Sequence, residues 1–214
     1  MIHFNKIIKY DNPPLKVGIT GGIGSGKTTV CKIFERLGIP VYYSDDEAKR
    51  LMVEDVELVG KIKHIFGAEA YLEDGSLNRR YISESAFTDK TKLTALNEAV
   101  HPAVAADGIR WNALHAGMPF TIKEAALIFE SVSDRYLDKV ITVFAPVEVR
   151  IERLLARDGS SREAIEARMR AQMPESEKIE RSDFVIYNDG RSDLEGQVMA
   201  VYHSICGEAK FIIP

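Results

Sequence analysis

At 214 residues with a net charge of −4, the chain is long enough for one well-buried core with insertions, and too acidic for a dedicated nucleic-acid binder, which needs a basic face. Its 45% hydrophobic and 28% charged residues suit a soluble globular protein, and no apolar run approaches the roughly 20 residues of a membrane helix. The N-terminus has no signal-peptide pattern, and Cys31 and Cys206 fit no metal or redox spacing, so a cytoplasmic protein is expected.

Residues 1–14 read as a loosely attached extension closed by Pro13-Pro14. "LKVGIT" is then a short strand feeding a glycine loop. "KTTVCKIFERLG" follows as a helix, with Val30, Ile33, Phe34 and Leu37 at helical spacing and Gly38 as the stop. "IPVYYS" is a second strand. "PFTIKEAALIF" is a third candidate, although Lys123-Glu124 is unwelcome in a buried strand. "KVITVFAP" and "DFVIY" are the fourth and fifth. Strands alternating with helices imply a parallel sheet covered on both faces. Between Asp46 and Gly117 the rhythm breaks. That segment reads as helices with a turn at "EDGS", and the last long helix should be interrupted or bent near Pro102.

The loop Gly21-Gly22-Ile23-Gly24-Ser25-Gly26-Lys27-Thr28 matches G-x-x-x-x-G-K-[ST], with a strand before it and a helix after it. Glycines let backbone N–H groups converge on phosphate oxygens. Lys27 supplies charge for the β- and γ-phosphates, and Thr28 offers a hydroxyl to Mg²⁺. Thr29 is expected beside the phosphates as a helix residue. The positive end of the helix dipole completes an anion site.

No [NT]-K-x-D guanine motif is present. The nearest Walker-B-like runs, "FVIYND" and "ALIFE", are poor imitations, which disfavours GTPases and motor-type ATPases. A small-molecule kinase needs an acceptor base and mobile arginines instead. Asp45, just past the second strand, is the candidate base or hydroxyl-orienting group, with Asp46 as its rival. The bland alternative is a capping box over Ser44–Glu47. Arg150, Arg153 and Arg157 recur at i, i+3, i+7, followed by "RDGSSRE", a helix-break-helix of the kind that carries arginines onto a phosphoryl group. A solvated face paired with glutamates is the alternative.

Several separated stretches, in order, resemble the dephospho-CoA kinase family. They are "GITGGIGSGKTTV", "LGIPVYYSDDEAKRL", "FGAEAYLEDGSLNRRYISESAF", "LNEAVHPAV", "ALIFES", "ERLLARDGSSREAIEARMRAQ" and "DFVIYNDG", from about Lys16 to the last helix. The resemblance implies an α/β fold of the P-loop kinase type. A parallel five-stranded sheet flanked by helices (15–45 and 118–214) would carry a lid at about 155–180 and a helical acceptor-binding insertion at 46–117. It implies ATP and dephospho-CoA as substrates, with Mg²⁺, and neither nucleic acid nor membrane as partner.

In that reading Asp45, Lys27 and Arg157 are catalytic. Gly22, Gly24, Ser25, Gly26, Lys27, Thr28, Thr29, Arg153, Asn188 and Gly190 bind ATP, the last two bordering the adenine. Thr20, Asp45, Arg79 and His101 bind the acceptor. The chain departs from the family pattern at Tyr43, where the first acid of an Asp-x-Asp is replaced, and at Ala126, where proline is frequent. Another P-loop kinase of nucleosides or small metabolites would share the glycine loop and lid but not "HP" or the "YYSDDEAKRL" segment, and a nucleotide-dependent switch would hold ATP without an acceptor.

Overall fold

The computed structural model describes residues 13–209, so nearly all of the expected 1–14 extension lies outside the described residues. The chain forms two compact units. One is formed by residues up to Tyr42 and from Asn112 onward, the other by Tyr43–Trp111.

The first unit is an α/β layer structure. Strand β1 (Leu15–Thr20) leads through the glycine loop into helix α1 (Lys27–Arg36), and β2 (Val41–Tyr43) follows. The helical unit contains α2 (Ser44–Glu54), α3 (Val56–Phe66), α4 (Arg79–Thr88) and most of α5 (Lys90–Leu114). The chain then returns through β3 (Phe120–Glu124), β4 (Lys139–Phe144), α6 (Val147–Asp158), α7 (Arg162–Arg170), α8 (Glu175–Arg181), β5 (Phe184–Tyr187) and α9 (Leu194–Ala209).

The strands form one five-stranded sheet in the order β2-β3-β1-β4-β5, with β1 parallel to β3 and β4, and β4 parallel to β5. β1 is therefore central, and its run "VGIT" is almost continuously apolar because both faces are covered. Val30, Cys31, Ile33 and Phe34 of α1 are buried, and so are Val198, Val201 and Ile205 of α9. Phe120 of β3 joins the two helices, with ring centroids 6.0 Å from Phe34 and 6.0 Å from Tyr202.

The helical unit has its own core of Leu51, Leu58, Ile62, Phe66, Ile82, Val100 and Val104. Asp55 and Asn78 cap α3 and α4 by accepting from the Leu58 and Tyr81 N–H groups. Arg50 of α2 reaches Asp107 of α5 at 3.0 Å. The "EDGS" stretch is a turn in which Asp74 accepts from both the N–H and the hydroxyl of Ser76.

Two expectations need correction. The third strand ends at Glu124, and Ala125–Phe129 turns away from the sheet. Ile128 and Phe129 look strand-like because they are buried, but their burial is with Val140 in a separate cluster. Of the interruption or bend expected near Pro102, the interruption is absent: helix α5 runs through Pro102 for 25 residues. A single lost N–H bond is tolerated there because the helix is long.

The turn after β3 is fixed to the start of α8 by a buried ion pair. Lys178, fully buried, lies 2.9 Å from Glu130 Oε1 and donates to the Ala126 carbonyl at 3.2 Å. Glu130 also accepts from the Met173 N–H. Burial alone would raise the Glu130 carboxyl, but the bonds from Lys178 and Met173 outweigh it and hold the group below the ordinary range. A lowered folded-state pKa means that this stabilisation is present at neutral pH and fades as pH falls below about 4.3. Lys178→Met should cost about 3–5 kcal/mol, because it leaves a carboxylate buried without its cation. Glu130→Gln/Lys178→Met should cost clearly less, and chemical denaturation of the three proteins at pH 7 checks the order.

Candidate active site

The glycine loop is a backbone cradle held from behind. At the N-cap of α1, Gly26 has φ 91°, and α1 begins with no side-chain cap and no acid in its first turn. Its free end is thus positive and open to an anion. Among the described residues, the amides of Gly24, Gly26 and Thr28 make no hydrogen bond, and the buried Ser25 hydroxyl has no partner. Buried or converging donors left unpaired mark a place for a ligand's acceptors.

Side chains from distant elements take up the carbonyls of Ile23, Gly24 and Ser25. Asn188, just past β5, donates Nδ2 to the Ser25 carbonyl at 2.8 Å. Arg153 of α6 donates to the carbonyls of Gly24, Ser25 and Asn188 and to Asn188 Oδ1, at 3.0–3.4 Å. Arg150 Nε donates to the Ile23 carbonyl at 2.8 Å, while the Ile23 N–H donates to Gln172 Oε1 at 2.9 Å.

Lys27 Nζ donates to the Gly21 carbonyl at 2.9 Å and lies 4.0 Å from Glu124 Oε1. Register explains the second contact. Glu124 is the last residue of β3 and pairs with Ile19 of β1, so its carboxylate ends beside the loop that leaves β1. What looks unwelcome within a buried strand is a strand-end acid facing the loop lysine.

The arginines of α6 share a face but not an environment. Arg150 is buried beside Glu175 at 3.2 Å; burial pulls its guanidinium below the ordinary value and the carboxylate opposes this. Arg153 is half-buried against the loop. Arg157 is exposed and paired with its neighbour Asp158, which also takes Arg168. The break after α6 falls at Gly159, and Ser161 caps α7. A cleft of about 440 Å³ opens between α6 and α7–α8, walled by Arg150, Arg162 and Arg170 with Glu148, Glu166 and Glu175.

The structure brings together Gly22, Gly24, Ser25, Gly26, Lys27, Arg153 and Asn188. Thr28 and Thr29 are exposed in the first turn of α1, and Gly190 lies in the exposed loop after β5. Thr20, expected at the acceptor, is instead fully buried with its hydroxyl donated to the Ala126 carbonyl at 3.1 Å. In the other unit Asp45 and Asp46 are exposed in the first turn of α2. Asp46 is paired with Lys49 and Glu47 with Arg50, whereas Asp45 makes no ion pair among the described residues. The capping box does not form, because α2 has no side-chain cap and the Ser44 hydroxyl is buried without a partner. Arg79, at the start of α4, is exposed and unpaired among the described residues, while Arg80 is taken by Glu84. His101 is exposed on α5.

Sequence reasoning missed Glu124, Gln172 and Glu175, and read Arg150 only as one of a run. An acid ending an apolar strand next in the sheet to β1 was the available signal for Glu124. No local pattern signals the other three, whose partners lie more than twenty residues away.

A strand–glycine loop–helix with its lysine, in a 2-3-1-4-5 parallel sheet with an arginine-bearing helical hairpin, defines a P-loop kinase-type phosphotransferase. The dephospho-CoA kinase family model matches residues 15–193. A dephospho-CoA kinase of Salinibacter ruber is 42% identical over 194 residues, covering 89% of this chain and 98% of its own. Among solved structures, TT1252 from Thermus thermophilus superposes with a TM-score of 0.78 at 34% identity, covering 92% of this chain and 98% of its own. Dephospho-CoA kinase from Campylobacter jejuni gives a TM-score of 0.62 at 25% identity, covering 91% and 98%. The chain belongs to the dephospho-CoA kinase family.

A methyl group on Gly26 would lie 2.1 Å from Asn188 Nδ2, on a backbone of positive φ. Gly26→Ala should weaken ATP binding by about tenfold or more, since the left-handed conformation alone costs a side chain roughly 1–2 kcal/mol. Adding Asn188→Ala removes the clash and should restore only part of the affinity, as read by calorimetric titration.

Proposed function

We propose that the protein transfers the γ-phosphoryl group of ATP to the ribose 3′-hydroxyl of dephospho-CoA, giving coenzyme A and ADP. The observation that carries this reading is the loop whose unpaired amides converge at an uncapped helix start beside Lys27, within a chain of this family. Phosphoryl transfer asks little covalent chemistry of a protein, so placement and charge compensation supply most of the rate.

In this reading the loop amides and Lys27 bind the β- and γ-phosphates. The contact between Lys27 and Glu124 keeps the ammonium aimed into the loop before nucleotide arrives. Arg157 is held by an exposed pair with Asp158, and such pairs contribute roughly 0–1 kcal/mol, so a phosphoryl group can displace Asp158. Asp45 accepts or orients the acceptor hydroxyl. The absence of an ion pair at Asp45 among the described residues supports it over Asp46. Arg79 and His101 serve the anionic and polar parts of the acceptor. Thr20 acts at one remove, by fixing the end of β1.

The donors present fit Mg²⁺, a hard cation that takes oxygen ligands. The Thr28 hydroxyl would hold it, with the Glu124 carboxylate acting through water. Among the described residues no three His, Cys, Asp or Glu side chains come together, which suits an ion held mostly by phosphate and water. When bound, Mg²⁺ offsets the charge on the phosphate oxygens. A cytoplasmic setting suits this reading, and no described helix is long and apolar enough to cross a membrane.

Mg²⁺–ATP consumption should depend on dephospho-CoA, with a product heavier by one phosphate group in the mass spectrum. ADP formation indifferent to dephospho-CoA would sink the substrate assignment. Asp45→Asn should lower kcat by about 10²–10⁴-fold and leave the ATP dissociation constant essentially unchanged. Asp46→Asn should retain most of the turnover, which separates the two acids.

A further inference from the structure

The Ile23 peptide is gripped from both sides by residues that follow β4. Its N–H donates to Gln172 Oε1 at 2.9 Å, and its carbonyl accepts from Arg150 Nε at 2.8 Å. The Ile23 side chain packs against the buried cluster formed by Ile151 and Leu154 of α6 and Ile165 of α7. One residue in the middle of the nucleotide loop is therefore wedged into the root of the arginine-bearing hairpin.

The grip is anchored further back. The Arg150 guanidinium also meets Glu175 Oε1 at 3.2 Å, and Glu175 begins α8. Met173, next to Gln172, and Lys178 within α8 are both tied to Glu130. A methyl group at Gly22 would lie 2.3 Å from both Arg150 Nη2 and Glu175 Oε1, so the pair presses directly against the loop. By contrast, the bonds that join α6 to the outer part of α7, Arg162–Glu148 and Arg168–Asp158, are exposed ion pairs, and such pairs contribute little.

We propose that Arg150 is a positioning residue. With Gln172 and Glu175 it locks the Ile23 peptide to the seat of the lid, so that the loop amides are preset for phosphate and the loop and lid root move as one body. Resting on the kinase reading for its consequence, this assigns Arg150 no contact with substrate. Its effect passes through the orientation of the loop, where small misplacements weaken every amide–phosphate bond together. The fork of the guanidinium is essential, because it serves a carbonyl and a carboxylate at once. A lysine can keep the charge beside Glu175 but not both directions.

The test uses the full chain and a non-hydrolysable ATP analogue with Mg²⁺, without acceptor. Arg150→Lys should melt close to the parent yet bind the analogue about tenfold more weakly, the loss expected for one charge-assisted hydrogen bond. The KM for dephospho-CoA should change by less than about twofold, because the acceptor side is untouched. Gln172→Met, at a half-buried position, removes only the acceptor for the Ile23 N–H and should weaken analogue binding in the same direction, so it carries the test if Arg150→Lys does not fold. Folded variants that bind the analogue as tightly as the parent would overturn the proposal. Analogue binding is measured without dephospho-CoA, so a parent protein that binds the analogue but ignores dephospho-CoA would defeat the substrate assignment and leave this inference standing.

Discussion

Everything in the nucleotide-binding unit depends on one arrangement: a loop in which distant side chains take the carbonyls of Ile23, Gly24 and Ser25, while the amides of Gly24, Gly26 and Thr28 are left without a hydrogen bond among the described residues. A peptide has two polar ends, and both need partners when buried. Asn188 and Arg153 take the carbonyls of Gly24 and Ser25, and Arg150 takes that of Ile23. The remaining donors point at the start of α1, where no side chain caps them. The anion site is thus a consequence of where the carbonyls are satisfied, as much as of the glycines.

That arrangement makes the sheet order matter. With β1 central, residues at the ends of β3, β4 and β5 all lie within reach of the loop that leaves β1. Glu124 from β3 meets Lys27, Arg150 and Arg153 come from the helix after β4, and Asn188 comes from the turn after β5. Parallel strands place all these carboxyl-terminal ends on one edge, which is why ligands gather there in open α/β sheets. The helical unit, with its own core and caps, presents Asp45 and Arg79 with no ion pair among the described residues, while their sequence neighbours Asp46 and Arg80 are neutralised locally.

Much of the fold was legible along the chain. Four of the five strands follow from short apolar runs, and α1 from its spacing and Gly38. The misreadings share a cause. "AALIF" is apolar because Ile128 and Phe129 are buried, and burial in a turn has the same composition as burial in a strand. Pro102 removes one donor from a helix of 25 residues, too little to end it. Ser44 and Glu47 have the spacing of a capping box, but Glu47 is drawn to Arg50 and Ser44 is buried.

The sequence by itself determined that phosphate is bound, because G-x-x-x-x-G-K-[ST] is a local backbone device whose parts are contiguous. It also determined the family, through ordered pieces spread over most of the chain. Only the tertiary structure decided what the arginines of α6 do. Spaced alike on one face, they differ in partner: Arg150 locks onto Ile23 and Glu175, Arg153 braces the loop, and Arg157 stays exposed on Asp158. It likewise turned Glu124 from a misfit into the partner of Lys27, and Thr20 from an expected ligand contact into a buried strand-end bond. The physical reason is the same in each case: helical and strand periodicity fix which residues share a face, but what that face meets is set by long-range packing between segments that no local pattern links.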